Sequence, residues 1–209
     1  PPNPELEESL KRQGWRQVGV GVFTLITPQI DRIILSLINP VVLAIYHVAI
    51  LLPQRALGSA KVLLGVICAD WGKLSATENL GKIKKRVHIM IIGGIIAAMI
   101  IAMLLRWIIP VMFGAGYEES VVLGQLFCFN IIFSVPLAFY LGYEQFQQDG
   151  RFAQKLEVKR ALVFLPLAAV LALYFGATGL VTVHIIINVF TAVLCLKQYN
   201  YRCQSVGLT

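Results

Sequence analysis

Charge is what this sequence has least of. Asp, Glu, Lys and Arg make up 14% of its 209 residues, against ~25% in soluble domains. A water-soluble surface of this size needs more than that, so an ordinary soluble domain is excluded. Catalytic signatures are also missing. There is no P-loop, no GxSxG and no HExxH, and His47, His88 and His184 share no motif. Nothing here reads as a soluble enzyme, and no cofactor is expected. Cysteine is scarce: Cys68, Cys128, Cys195 and Cys203 form no CxxC pair and no zinc-type cluster with histidine. Free thiols in or near helices are expected, and no metal. A signal peptide is absent, and the chain begins Pro1-Pro2 without methionine. A processed protein or a piece of a longer one is expected.

What is present in excess is apolar residues, at 57% of the chain. They fall in long runs, and each bilayer crossing needs ~20 of them. The expected fold is an all-α membrane protein with a bundle of six transmembrane helices. A polar cytoplasmic segment, 1–16, precedes spans at about 17–38, 41–69, 87–109, 120–143, 161–175 and 180–196. Asn39-Pro40 reads as a tight turn. The second span is about 43 Å long if straight, at 1.5 Å per residue. It exceeds the ~30 Å hydrocarbon core, so it should tilt, kink or protrude, with Pro53 as the kink. Charged loops are expected at Asp70 to Arg86 and at Glu144 to Arg160, and turns at Pro110 to Glu119 and Gly176 to Gly179.

The formal charge of +7 would point to nucleic acid in a soluble protein. Here it is a topology signal instead. With the N-terminus in the cytoplasm, the cytoplasmic segments hold fourteen Lys and Arg, and the three outer turns hold none. That asymmetry orients both termini to the cytoplasm and demands an even number of spans. Trp15, Trp71 and Trp107 fall at span ends, where an amphipathic ring favours the headgroup level.

The remaining four basic residues, Arg32, Arg55, Lys61 and Arg106, lie inside spans. A charge at mid-bilayer costs ~2.5–3.5 kcal/mol on the insertion scale, so it faces protein or a wet cavity. His47, Gln54 and Lys61 recur every seven residues and form one stripe. Arg55 flanks it and is expected to face the protein interior. Gln17, Thr24 and Asp31 form a second stripe on the first span. Two such helices side by side would line a hydrated, net cationic wall. Lys61 and Arg32 have the alternative of snorkelling to an interface, and Asp31 that of a structural pair. Asp31 lies about 12 Å from the outer end of its span, level with Tyr46 and His47 on the antiparallel neighbour. Contact is expected at that level and not with Arg55. His184 and Asn188, one turn apart, read as interhelical hydrogen-bond partners.

Several segments carry a resemblance. LKRQGW from Leu10, QIDRIILSLI from Gln29, IYHVAILLP from Ile45, FGAGYEES from Phe113, LGYEQFQQDGRF from Leu141 and FGATGL from Phe175 occur in an order that resembles the C-terminal half of a bacterial polysaccharide transporter. This is the O-antigen flippase type of the multidrug/oligosaccharidyl-lipid/polysaccharide superfamily. Asp31 and Arg32 match the family's Asp-Arg pair. Arg55 and Lys61 depart from it, standing where mostly apolar residues are expected. The resemblance implies one lobe of a two-lobe flippase, partnered by an N-terminal lobe of the same protein, in the bacterial inner membrane. It implies export of undecaprenyl-pyrophosphate-linked oligosaccharide by alternating access. On that reading Arg32, Gln54, Arg55 and Lys61 bind substrate and Asp31 couples transport to an ion gradient. The partners would be the lipid-linked oligosaccharide and membrane lipids, and no nucleic acid. A drug or cation antiporter of the same superfamily, or a non-transporting membrane scaffold, are the alternatives.

Overall fold

The computed structural model describes residues 29–71, 76–147 and 151–205, together with the single positions 8, 11, 14, 15 and 18. The expected segment 1–16, the stretch 17–28 of the first expected span, and the chain after 205 otherwise lie outside the described residues. Among those described there is helix and no strand. Residues 29–38 are helical and form α1. Then come α2 (Pro40–Trp71), α3 (Ala76–Phe113), a 3-10 turn (Ala115–Tyr117), α4 (Glu118–Gln147) and α5 (Arg151–Ser205). Four of these helices, α2 to α5, are long and apolar enough to cross a membrane.

Helix ends extend past the apolar runs. The expected turn at Pro110 does not form there: α3 continues to Phe113, with Pro110 inside it. The Pro110 carbonyl then accepts the Gly114 N–H at 3.0 Å and helps to close the last turn. The break comes at Gly114, whose φ of 86° suits glycine. The charged loops are mostly helix as well. α4 runs on to Gln147 and α5 starts at Arg151, so only 148–150 separate them. Hydropathy marks the part of a helix in lipid, and polar turns continue it into water.

The 55 residues of α5 would span about 80 Å if straight, far more than a bilayer. They do not run straight. Gly176 has φ 58° and ψ −134°, which interrupts the helical path. Arg160 reaches Asn188, and the rings of Phe164 and His184 are 5.1 Å apart. Such pairs meet only if the chain folds back on itself. α5 is therefore a hairpin, with a first arm of 151–175 and a second arm of 177–205. A Cβ at Gly179 would overlap the Leu171 carbonyl, so the arms approach as closely as glycine permits.

α4 is the central helix. One core cluster joins Leu35 of α1, Tyr46 and Ile50 of α2, Leu123 and Phe127 of α4, and Phe164, Ala168, Leu180 and Ile187 of α5. A second joins Val48 and Leu64 of α2 to Ile83, Leu105 and Ile109 of α3 and to Ile131 and Phe139 of α4. Gly124 lets α4 close on α2: a Cβ there would lie 2.7 Å from the Ala49 carbonyl oxygen. In lipid, helices associate through close packing and interhelical hydrogen bonds, because the tails are as apolar as leucine. Ser120 Oγ donates to the Ile45 carbonyl at 2.9 Å and Gln125 Nε2 to the Ala102 carbonyl at 3.1 Å, tying α4 to α2 and α3. The outer face of α3 presents Ile92, Ile96, Met99, Met103 and Leu104, a surface suited to hydrocarbon and not to water.

Candidate functional site

The polar interior is built on the second arm of α5. Asp31 of α1 is 1% exposed. Its Oδ2 accepts the Tyr46 hydroxyl of α2 at 2.8 Å and stands 2.6 Å from His184 Nε2. The expected level is met: Asp31 contacts Tyr46, and Arg55 lies nine residues further along α2. With Asp31 ionised, His184 must present an Nε2–H, as the matching neutral tautomer or as imidazolium. Phe127 meets the His184 ring edge-on at 5.6 Å, and Phe164 tilts against it at 5.1 Å. The aromatic walls fix the ring, which stays partly exposed while Asp31 is buried. The other carboxylate oxygen, Asp31 Oδ1, is buried with no hydrogen-bond partner. A buried carboxylate with one unmatched oxygen leaves an acceptor open in the interior.

One turn further along, Asn188 gathers a second cluster. Its Nδ2 donates to Asn130 Oδ1 at 3.1 Å and to Ser134 Oγ at 2.9 Å, both on α4. Its Oδ1 accepts Arg160 Nη2 at 3.2 Å from the first arm. Arg160 Nη1 pairs with Glu157 at 2.8 Å. His184 and Asn188 are thus interhelical partners, as their spacing indicates.

The cationic residues of α2 stand elsewhere. His47, Arg55 and Lys61 are exposed, and Gln54 is half-buried. Arg55 therefore lies on the outer surface of this bundle, against the expectation that it faces inward. Arg32 is half-buried, and its Nη1 donates to Gln29 Oε1 at 3.4 Å within α1. The structure therefore brings Asp31 together with Tyr46 and His184, and leaves Arg55 and Lys61 on an outward face. Asn130, Ser134 and Arg160 escape sequence reading, because a lone polar residue in a span carries no periodic signal. Glu144, which falls in an expected loop, is instead buried near the end of α4 at 1% exposure. Cys128, Cys195 and Cys203 are free. Among the described residues no three His, Cys, Asp or Glu side chains come together as a metal site would need.

A cavity of about 720 Å³ opens between α3, α4 and the second arm of α5, bordered by His88, Phe133, Tyr140, Cys195 and Tyr199. Its walls are mainly apolar, and neither polar cluster lines it. No known family model matches the chain, no curated protein is similar to it, and no solved structure resembles it.

Proposed function

We propose that the chain is a six-helix lobe of a bacterial inner-membrane transporter that exports undecaprenyl-pyrophosphate-linked oligosaccharide. Both termini lie in the cytoplasm, and a second lobe of the same protein faces α2 across a hydrated cavity. The exposed cations Arg55 and Lys61 on α2, with exposed His47 on the same helix, carry this reading. Charges facing bare hydrocarbon cost ~2.5–3.5 kcal/mol each near mid-bilayer, so this face requires water or protein opposite it. A pyrophosphate meets such cations with charge-assisted hydrogen bonds, and a cavity open sideways lets the lipid tail stay in the bilayer. The hairpin at Gly176 supports two crossings by α5, which match the fifth and sixth expected spans. Asp31, paired with His184, is the proposed site of proton coupling.

The test is glycan export in cells carrying Arg55→Ala or Arg55→Lys. Losing a hydrogen-bonded charge of ~1.5–3 kcal/mol predicts a drop of about tenfold or more for the alanine variant, with partial export retained by lysine. Full export by Arg55→Ala at normal protein level overturns the binding role.

A second reading, a drug or cation antiporter of the same superfamily, is favoured by the unmatched oxygen of Asp31. It would make resistance to cationic drugs depend on Asp31 and not on Arg55. A scaffold would depend on neither.

A further inference from the structure

The shape of the apolar cavity follows from the helices around it. α3 and α4 approach closely at Gly94, where a Cβ would stand 3.4 Å from the Ile132 Cα. Ile91 and Ile132 line the cavity at that level, so close packing shuts its deep end. From there the lining follows α4 to Tyr140 and α5 from Ala192 to Gln204, about 12 Å and about 18 Å of helix at 1.5 Å per residue. Chemistry changes along that length. Ile132, Pro136, Leu137 and Ala192 border the deep part, and Tyr199, Asn200 and Gln204 border the other end. Lys85 and Lys197, both exposed, stand on the turns of α3 and α5 that lead to this polar end.

These dimensions match one leaflet, since half of a ~30 Å hydrocarbon core is ~15 Å. Size and chemistry then narrow the occupant. A space with mainly apolar walls stays dry. A helix ~10 Å wide and about 18 Å long takes about 1,400 Å³, twice the 720 Å³ present. No helix of this chain or of a second copy fits. A polyprenyl chain longer than one leaflet would run into the closed end. Spread over its length, the volume gives a section of about 40 Å². That is room for one or two extended hydrocarbon chains whose carbons touch at ~4 Å.

We propose that this cavity holds the acyl chains of one anionic phospholipid, with its phosphate near Lys85 and Lys197 and its ester groups at Asn200 and Gln204. Chains in the cavity restore the dispersion contacts that bare walls forfeit, and lysines at the membrane boundary attract an anionic headgroup. Bound there, the lipid bridges α3 to the second arm of α5. The site needs only that these helices stand in a bilayer, so it does not rest on the transport reading.

The experiment places the whole chain in phosphatidylcholine nanodiscs doped with photoactivatable phosphatidylglycerol, and maps the cross-links by mass spectrometry. A diazirine at the chain end labels the turns around Ile91, Ile132 and Ala192. A diazirine beside the ester labels Tyr199 to Gln204. Phosphatidylcholine carrying the same groups labels these positions several-fold less. Lys85→Gln and Lys197→Gln each cut the phosphatidylglycerol labelling about fivefold, and Arg106→Gln, an exposed cation near the other end of α3, leaves it unchanged. Ala192→Trp fills the deep part and removes chain-end labelling, whereas Met103→Trp on the outer face of α3 does not. Labelling confined to that outer face overturns the proposal. So does equal labelling by the two lipids, or labelling of the same positions by both diazirines. If Ala192→Trp fails to fold, the two diazirine positions on the wild type decide, because only a chain lying along the cavity separates them by depth.

Discussion

Two polar clusters sit one helical turn apart on the same arm of α5, and they are opposites. Around His184 the bonds converge on one oxygen of Asp31, and what is left over is an acceptor, Oδ1. Around Asn188 the amide is saturated on both ends, and what is left over is donors. On the proposed transport reading, the first cluster is the one that changes state by a single proton. The second can change only by gaining a ligand, because amides and guanidinium do not titrate near neutrality. One membrane arm thus holds a group that can switch beside a group that locks, and the lock joins three helical segments that the switch also touches.

The strongest way to break the comparison is to remove both clusters at once. Gly179→Leu places a side chain where the Leu171 carbonyl already stands, so the hairpin arms must separate. Arg160–Asn188 and Phe164–His184 then part together. Overpacking of this kind costs ~1–3 kcal/mol or more, and stranded buried polar groups add ~1–3 kcal/mol each. We expect loss of folded protein, read by size-exclusion chromatography in detergent and by susceptibility to trypsin. A variant with wild-type elution and melting temperature would show that the arms do not meet as described.

A milder change separates the clusters. Asn188→Leu removes the three bonds of the amide and strands Arg160 and Asn130, while Asp31, Tyr46 and His184 keep theirs. The expected cost is about 1–3 kcal/mol, nearer the lower end because interhelical bonds in membranes average ~0.6 kcal/mol each. Unfolding in graded denaturing detergent reads it. If any pH dependence of transport persists in this variant, switching resides with Asp31 as the comparison requires; its disappearance would show that the clusters act as one.

How much of this was legible in the sequence follows from which signals are local. The lengths of α2 and α4 follow from unbroken apolar runs, and the break at Gly176 from a glycine-rich turn. The depth match of Asp31 with Tyr46 follows from 1.5 Å per residue counted from Asn39-Pro40. These arguments use one helix or two helices joined by a tight turn. The hub at Asn188 joins α4 to both arms of α5, across sequence separations of 28, 54 and 58 residues, and no spacing rule reaches across such distances. The charge of Glu144 points to a solvated loop, although a helix can bury one carboxylate near its end, as α4 does. Arg55 misleads for a similar reason: a charge in a span needs a polar neighbour, but that neighbour need not belong to the same bundle.

The smallest structural effect and the sharpest functional one are expected from Asp31→Asn. Asparagine has the shape of aspartate and retains one oxygen that can accept the Tyr46 hydroxyl and the His184 Nε2–H, so neither partner is stranded. Packing around Leu35 and Phe127 is untouched, and the stability change should lie near the ~0.6 kcal/mol typical of one membrane hydrogen bond. What the variant loses is a titrating group. A carboxylate that moves between wet and dry surroundings takes up a proton when dry, because desolvation disfavours its charged form. If that exchange couples transport to a proton gradient, Asp31→Asn folds normally and binds substrate, but its transport no longer responds to external pH. His184→Gln retains a side-chain donor toward Asp31 without the imidazole's own titration, and should shift the pH response rather than abolish it. Measuring transport by both variants between pH 5.5 and pH 8.5 (roughly the range in which histidine titrates) separates the roles. A wild-type pH profile in Asp31→Asn, at wild-type protein level, would leave the carboxylate as a structural clamp between α1, α2 and α5, and the switch assigned to this cluster would fall.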